Sequence, residues 1–138
     1  MCRSGVLTAN QFAMIEVTCA IIMKDDRVLI TRRSASMPHP LQWEFPGGKL
    51  KPGETPEKCL IREIREELHA EVEVDQLLPS VVHDYGTGTI KLIPFICTLE
   101  SDEITLGQHS DYRWIAMEEL DRYDLLEADR EIIARMSV

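Results

Sequence analysis

The chain has 138 residues, 44% hydrophobic and 28% charged, which is enough to bury one core and unlike the composition of a disordered segment. Fifteen Lys and Arg stand against twenty-four Asp and Glu, and a net charge of −9 excludes binding to a nucleic-acid duplex through a basic face. No apolar run reaches the roughly 20 residues of a membrane-spanning helix, and the opening MCRSGVLTANQFA lacks the apolar centre of a secretory signal.

Residues 1–13 read as a flexible leader and 14–138 as a single domain. IEVTCAIIM (15–23) is β-branched and apolar, as a central strand is. Lys24-Asp25-Asp26 turns the chain into a second strand, RVLITRR (27–33), and SASMPHP (34–40) is a loop by its Ser and Pro content. QWEFPGGKL (42–50) is a short strand broken at Pro46-Gly47-Gly48, followed by the turn KPGE (51–54). Thr55 as N-cap, Pro56 as first helical residue and Glu57 in the first turn predict a helix to about Leu68. EVEV (71–74) and SVVHDYG (80–86) are extended. A Gly-Thr-Gly turn (86–88) leads to the longest strand, TIKLIPFICTLE (89–100), in which Pro94 predicts a bulge or an edge position. DYRWIAMEEL (111–120) is a strand passing into a short helix, and EADREIIARM (127–136) is the last helix. The pattern predicts an α/β domain with a mixed sheet between helices.

Cys2, Cys19, Cys59 and Cys97 form no C-x-x-C pair and three lie in apolar runs, so they read as reduced, mostly buried thiols of a cytoplasmic protein.

On a helical wheel, Leu60, Ile61, Ile64 and Leu68 make the apolar sector, and Lys58, Arg62 and Arg65 face water opposite it. Glu63, Glu66 and Glu67 occupy a third sector beside the apolar stripe. A solvated amphipathic helix with an Arg62–Glu66 pair is one account. Against it, Glu63 and Glu67 are a like-charge i,i+4 pair, which costs a few tenths of a kcal/mol. Clustered carboxylates at the rim of a core suit a hard divalent cation such as Mg²⁺ or Mn²⁺. An acidic chain that binds a polyanion needs such local cations.

From Gly48 the chain reads G-KLKPG-E-TPEKCLI-REIREELHA. This resembles the Nudix hydrolase signature, G-x5-E-x7-R-E-U-x-E-E-x-G-U, where U is a bulky aliphatic residue. Gly48, Glu54, Arg62, Glu63, Ile64, Glu66 and Glu67 match; His69 replaces the last Gly and Ala70 the last aliphatic residue. His69 is expected to take the same helix-end turn at some conformational cost. ITRR (30–33) and WEFPGGK (43–49) extend the likeness to MutT-type pyrophosphohydrolases, and within them to the branch acting on CTP and dCTP. The resemblance implies a Nudix fold and metal-dependent cleavage of a nucleoside triphosphate to the monophosphate and pyrophosphate.

The resemblance also implies roles for single residues. Glu63, Glu66, Glu67 and the carbonyl of Gly47 hold the metal, with the three glutamates forming the catalytic set and Glu63 or a neighbouring carboxylate as general base. A glutamate found in many relatives before the Trp of QHSDYRW corresponds to Gln108, which cannot take a proton, so Asp111 is the alternative base if the loop register differs. Arg33 and Lys49 meet the phosphates, although Lys49 also reads as exposed strand-end charge. Phe45 matches the base-stacking position and is expected to face away from a core Trp43. His39 lines the pocket or is a solvated loop residue. Asp129 accepts from the exocyclic amine of cytosine, or else N-caps the last helix.

The expected partner is thus a nucleoside triphosphate, bound by a monomer or homodimer. The rival substrate is 8-oxo-dGTP. A nucleotide-sensing module without catalysis is disfavoured because every glutamate of the signature is present. A nucleotide-sugar hydrolase is disfavoured by the short leader.

Overall fold

The computed structural model of the chain describes residues 14–136; the expected leader and the last two residues lie outside this range. The elements follow the predicted order. Strands β1 (Ile15–Lys24) and β2 (Arg27–Arg32) form a tight hairpin. Asp25 and Asp26 both have positive φ, 50° and 63°, which a two-residue turn of this hand requires. The short strands β3 (Trp43–Glu44) and β4 (Gly47–Lys49) precede helix α1 (Pro56–Leu68). Strands β5 (Val72–Leu77), β6 (Val81–Asp84), β7 (Thr89–Leu99) and β8 (Asp111–Ala116) follow. A 3₁₀ turn (Met117–Arg122) leads into helix α2 (Glu127–Met136).

The sheet is mixed and centres on β1 and β7, which run parallel with Ile15 opposite Ile90 and Ile22 opposite Cys97. The other edge of β1 is shared: β4 pairs with its middle, through Val17 to Cys19, and β2 with its end. This split leaves a notch in the sheet beside the Pro46-Gly47 break. Side-chain alternation along β1 sends Cys19 and Ile21 to one face and Ala20 and Ile22 to the other. The first face packs under α2 through Ala128 and Ile132, and the second under α1 through Leu60, Ile64 and Leu68. Each of those three aliphatic side chains is fully buried, worth about 2 kcal/mol apiece in area removed from water.

Pro94 lies neither at an edge nor at a bulge of its own strand. It sits inside β7, opposite Cys19, and is buried. Its carbonyl faces β5 and β6, accepting from Leu78 N–H at 2.9 Å. The position that would carry its missing N–H faces the same side, where β5 has ended at Leu77 and β6 has not begun until Val81. A proline is tolerated in a central strand because the neighbouring ladder is interrupted opposite it.

Helix α1 starts and stops as its sequence predicts. The Thr55 hydroxyl accepts from Lys58 N–H at 3.3 Å, with Pro56 next. His69 ends it in the left-handed region, at φ 52° and ψ 43°, donating its N–H to the Arg65 carbonyl. Its ring Nδ1 meets the Thr105 carbonyl at 2.8 Å, which offsets part of the strain of a non-glycine residue there. Loop 100–110, which the sequence reading considered only for Gln108, covers the free carbonyls of the last turn: Thr105 N–H donates to Leu68 O and Gly107 N–H to Glu67 O, each at 2.9 Å. No helix among the described residues is long and apolar enough to cross a membrane. Cys19, Cys59 and Cys97 are free and buried.

Candidate active site

The glutamate face of α1 lies against the glycine loop of β4. An added Cβ at Gly48 would strike the Glu63 carboxyl group, so the absent side chain is what lets that carboxyl sit against the strand. At Gly47 an added Cβ would strike the backbone carbonyl of Thr18 on β1, which no side-chain rotation relieves. Gly47 N–H donates to Glu67 Oε1 at 3.1 Å.

Arg62 overturns its predicted exposure. Only 21% of its side chain is accessible, and the guanidinium gathers acceptors from two directions. Nε and Nη2 donate to Glu54 at 2.7 and 2.9 Å, and Nη1 reaches Glu63 at 3.0 Å and Glu66 at 3.2 Å. Nη2 also donates to the Lys49 carbonyl at 3.1 Å. The loop before the helix folds over this face, which a wheel of the helix alone cannot anticipate. The Arg62 hydrogen bonds, joined by Lys51 N–H, hold the Glu54 carboxyl down to about 2.

Arg62 compensates Glu54 and part of Glu63 and Glu66, but Glu67 stands apart from it. Burial, the nearby charge of Glu44 and that of Glu63 push Glu67 well above the usual carboxylate range, against the pull of Gly47 N–H. Burial likewise raises Glu63. With Arg62 between Glu63 and Glu66 and Glu67 turned to Gly47, no three His, Cys, Asp or Glu side chains among the described residues converge closely enough to hold an ion in this arrangement. The donor set nevertheless fits a hard divalent cation: carboxylate oxygens, partial exposure, and a half-buried acid short of positive charge. Glu63, Glu66, Glu67 and the Gly47 carbonyl are the groups that would hold it.

Beyond the glycines, the notch opens into a cleft of about 350 Å³. Its walls include Ile15, Val17, Phe45, Tyr85, Leu92 and Leu126, and two acids among them, Glu67 and Asp129, accept from the backbone N–H groups of Gly47 and Phe45. Phe45 and Trp43 do not face apart. They are two residues apart on an extended segment and therefore share a side, and both are buried in the α2-side core. Phe45 borders the cleft but is only 2% accessible. Tyr85, which the sequence reading did not single out, is only half-buried there, its hydroxyl accepting from Ala128 N–H at 3.1 Å. His39 lies at the cleft mouth with its ring 5.2 Å from that of Tyr85. Lys49 is exposed at the lip.

Asp129 lies within α2 rather than ahead of it, so it is not the N-cap. Its carboxylate accepts from Phe45 N–H at 2.8 Å, across 84 residues of sequence. At 4% accessibility, burial and the charge of Glu44 push it well above the usual range, opposed by Phe45 N–H and Arg33.

Arg33 also lines the cleft. Nε donates to the Pro38 carbonyl at 2.6 Å, and Nη1 meets both oxygens of Glu44 at 2.9 and 3.0 Å. Glu44 further accepts from His109 Nε2 at 2.8 Å. Neither Glu44 nor His109 was singled out from sequence. The one available sign was a carboxylate next to Phe45 and three residues before Gly47, in WEFPGG. Gln108 is exposed, and Asp111 lies on β8 with its carboxylate toward Tyr112 N–H and Arg113.

The chain is 36% identical to the CTP pyrophosphohydrolase of Escherichia coli (strain K12) over 121 residues, covering 84% of this chain and 86% of that one. It is 40% identical to the 8-oxo-dGTP diphosphatase of Proteus vulgaris over 82 residues, 59% of this chain and 73% of that one. Among solved structures, the E. coli ORF135 protein superposes with a TM-score of 0.77 at 31% identity, over 90% of this chain and 89% of that one. The family profile of the NUDIX domain matches residues 14–136, and with that span and those identities the chain belongs to the Nudix family.

Proposed function

We propose that the protein is a Mg²⁺- or Mn²⁺-dependent nucleoside triphosphate pyrophosphohydrolase of the cytoplasm, converting NTP and water to NMP and pyrophosphate, with CTP, dCTP or a modified cytosine nucleotide preferred. One observation carries this reading. A single cleft is lined by the under-compensated carboxylate Glu67 and by the buried acceptor Asp129, and Glu63 of the same helix lies against its Gly48. The glutamate ridge suits a metal-bound triphosphate and Asp129 the exocyclic amine of a base. Metal at the ridge supplies charge neutralisation of phosphate oxygens and a coordinated water of lowered pKa.

The chain's own groups do the rest. The Nη2 group of Arg33 and the ammonium of Lys49 are the cations available to the phosphates. The apolar walls exclude water around the base. Glu63 or an adjacent carboxylate of the ridge takes the proton of the attacking water, because Gln108 cannot. The relative in Proteus vulgaris supports a second substrate, 8-oxo-dGTP, whose purine amino group Asp129 would also accept from.

The test is a turnover screen of NTPs, dNTPs, 8-oxo-dGTP and ADP-ribose with Mg²⁺, identifying products. CMP or dCMP plus pyrophosphate is the expected result, with Glu67→Gln losing at least roughly 100-fold in kcat while keeping its fold. Preferential release of 8-oxo-dGMP would install the purine, and no turnover of any nucleotide would refute the enzyme.

A further inference from the structure

We infer that His109 is a positioning residue that, through Glu44, sets the direction in which Arg33 presents its free guanidinium nitrogen to the cleft. The inference rests on the proposal that this cleft takes a triphosphate.

Arg33 carries a long flexible side chain into a cleft whose walls include two other acids, Glu67 and Asp129. Either could draw the guanidinium away from the phosphate path. Two contacts prevent this: Nε on the Pro38 carbonyl and Nη1 on both oxygens of Glu44. Of the Arg33 nitrogens only Nη2 has no partner among the described residues, which leaves one pair of N–H donors for a ligand in the cleft. Glu44 is itself flexible, and His109 Nε2 holds its Oε2 at 2.8 Å.

The imidazole is well fixed for this purpose. Its side chain is 1% accessible, against 15% for Glu44 and 16% for Arg33. Its backbone is pinned on both sides, by Gly107 N–H on the Glu67 carbonyl and Ser110 N–H on the Arg32 carbonyl. The ring thus hangs between the end of the glutamate helix and the residue before Arg33. Its Nδ1 is buried and has no hydrogen-bond partner among the described residues. A half-satisfied buried ring is costly, and an apolar side chain of similar size would serve packing better. The one bond it makes is to Glu44, which points to that bond as the reason for the residue.

The experiment compares wild type, His109→Leu and His109→Gln, each alone and with Arg33→Ala, using CTP and Mg²⁺. Loss of the Nε2 donor should raise KM about 10-fold with kcat within roughly 2-fold, since ground and transition states lose the same contact. His109→Gln, which keeps an N–H donor near the Nε2 position, should recover most of that. In the Arg33→Ala background, His109→Leu should have less than about a 2-fold further effect. An unchanged KM, or a full-sized effect of His109→Leu without Arg33, would overturn the assignment.

A second readout needs no turnover. The Nη1–H resonances of Arg33, which donate to Glu44, should be slow to exchange in low-temperature ¹H–¹⁵N spectra of wild type and lose that protection in His109→Leu, while Arg62 Nε–H stays protected in both. Loss of Arg33 protection in a protein that hydrolyses no nucleotide would leave the positioning intact and remove the triphosphate reading. Hydrolysis of CTP with the Arg33 signal and KM unmoved by His109→Leu would do the reverse.

Discussion

Asp129→Asn separates what the buried acid does for substrate from what it does to the fold. The substitution is nearly isosteric, and the amide oxygen can still accept from Phe45 N–H, now at 2.8 Å from the carboxylate. What disappears is a charge in a site 4% accessible, raised chiefly by burial and by Glu44. A carboxyl raised in the folded state keeps its proton there after the unfolded chain has released it. Below its ordinary value, near 3.8, both states are protonated and no penalty exists. Above that value stability falls as pH rises, by up to about 1.4 kcal/mol per pH unit, until pH passes the raised folded value. Urea unfolding of wild type and Asp129→Asn, at intervals from pH 3.5 to 8, isolates this contribution because other acids cancel in the difference. The two proteins should be equally stable near pH 3.5, with the variant increasingly the more stable above pH 4. The same variant turns an amide N–H₂ toward the cleft, so kcat/KM for CTP should fall roughly 10- to 100-fold. A flat stability difference across this pH range, or a variant less stable at pH 7, would refute the account of Asp129 as a buried acid whose burial outweighs its partners.

Gly48→Ala should fold, since the new methyl group meets a rotatable carboxyl rather than backbone, yet it should displace Glu63 and weaken Mn²⁺ binding by at least roughly 10-fold, read by titration of the paramagnetic ion. Arg62→Gln should return the Glu54 titration midpoint from about 2 toward its ordinary 4.5, followed by carboxyl ¹³C shifts. Wild-type stability from this pair is present above about pH 4.5 and is lost as pH falls toward 2, so the variant should lack that acid-side decline. His69→Gly should stay within about 1 kcal/mol of wild type in urea, gaining relief of a left-handed residue and losing the Thr105 bond, whereas His69→Ala should lose about 1 kcal/mol by keeping the strain without the bond.

Much of this architecture was legible in local signals. The Asp25-Asp26 hairpin, the Thr55-Pro56 helix start and the His69 stop each depend on residues within four positions of one another. The mixed sheet between two helices followed from their order. Most of the misreadings involve neighbours that periodicity does not see. Arg62 points to water on its own helix but is roofed by Glu54 and the Lys49 carbonyl from the loop before it. Pro94 looks like an edge residue until the gap between β5 and β6 is found beside it. His109 looks like one polar residue among several, and its partner Glu44 is 65 positions away. The face of Phe45 is the exception, since positions 43 and 45 share a side by period 2, although the acceptor that meets its amide comes from the last helix.

Arg62 gives the acidic helix an internal counter-ion, tethered by its own chain and already engaged with Glu54, Glu63 and Glu66. An arriving divalent ion therefore bids against a resident charge and is held only by the margin between them. Folding should accordingly survive a chelator, and the occupancy of the ridge should track the supply of free ion instead of locking it in place.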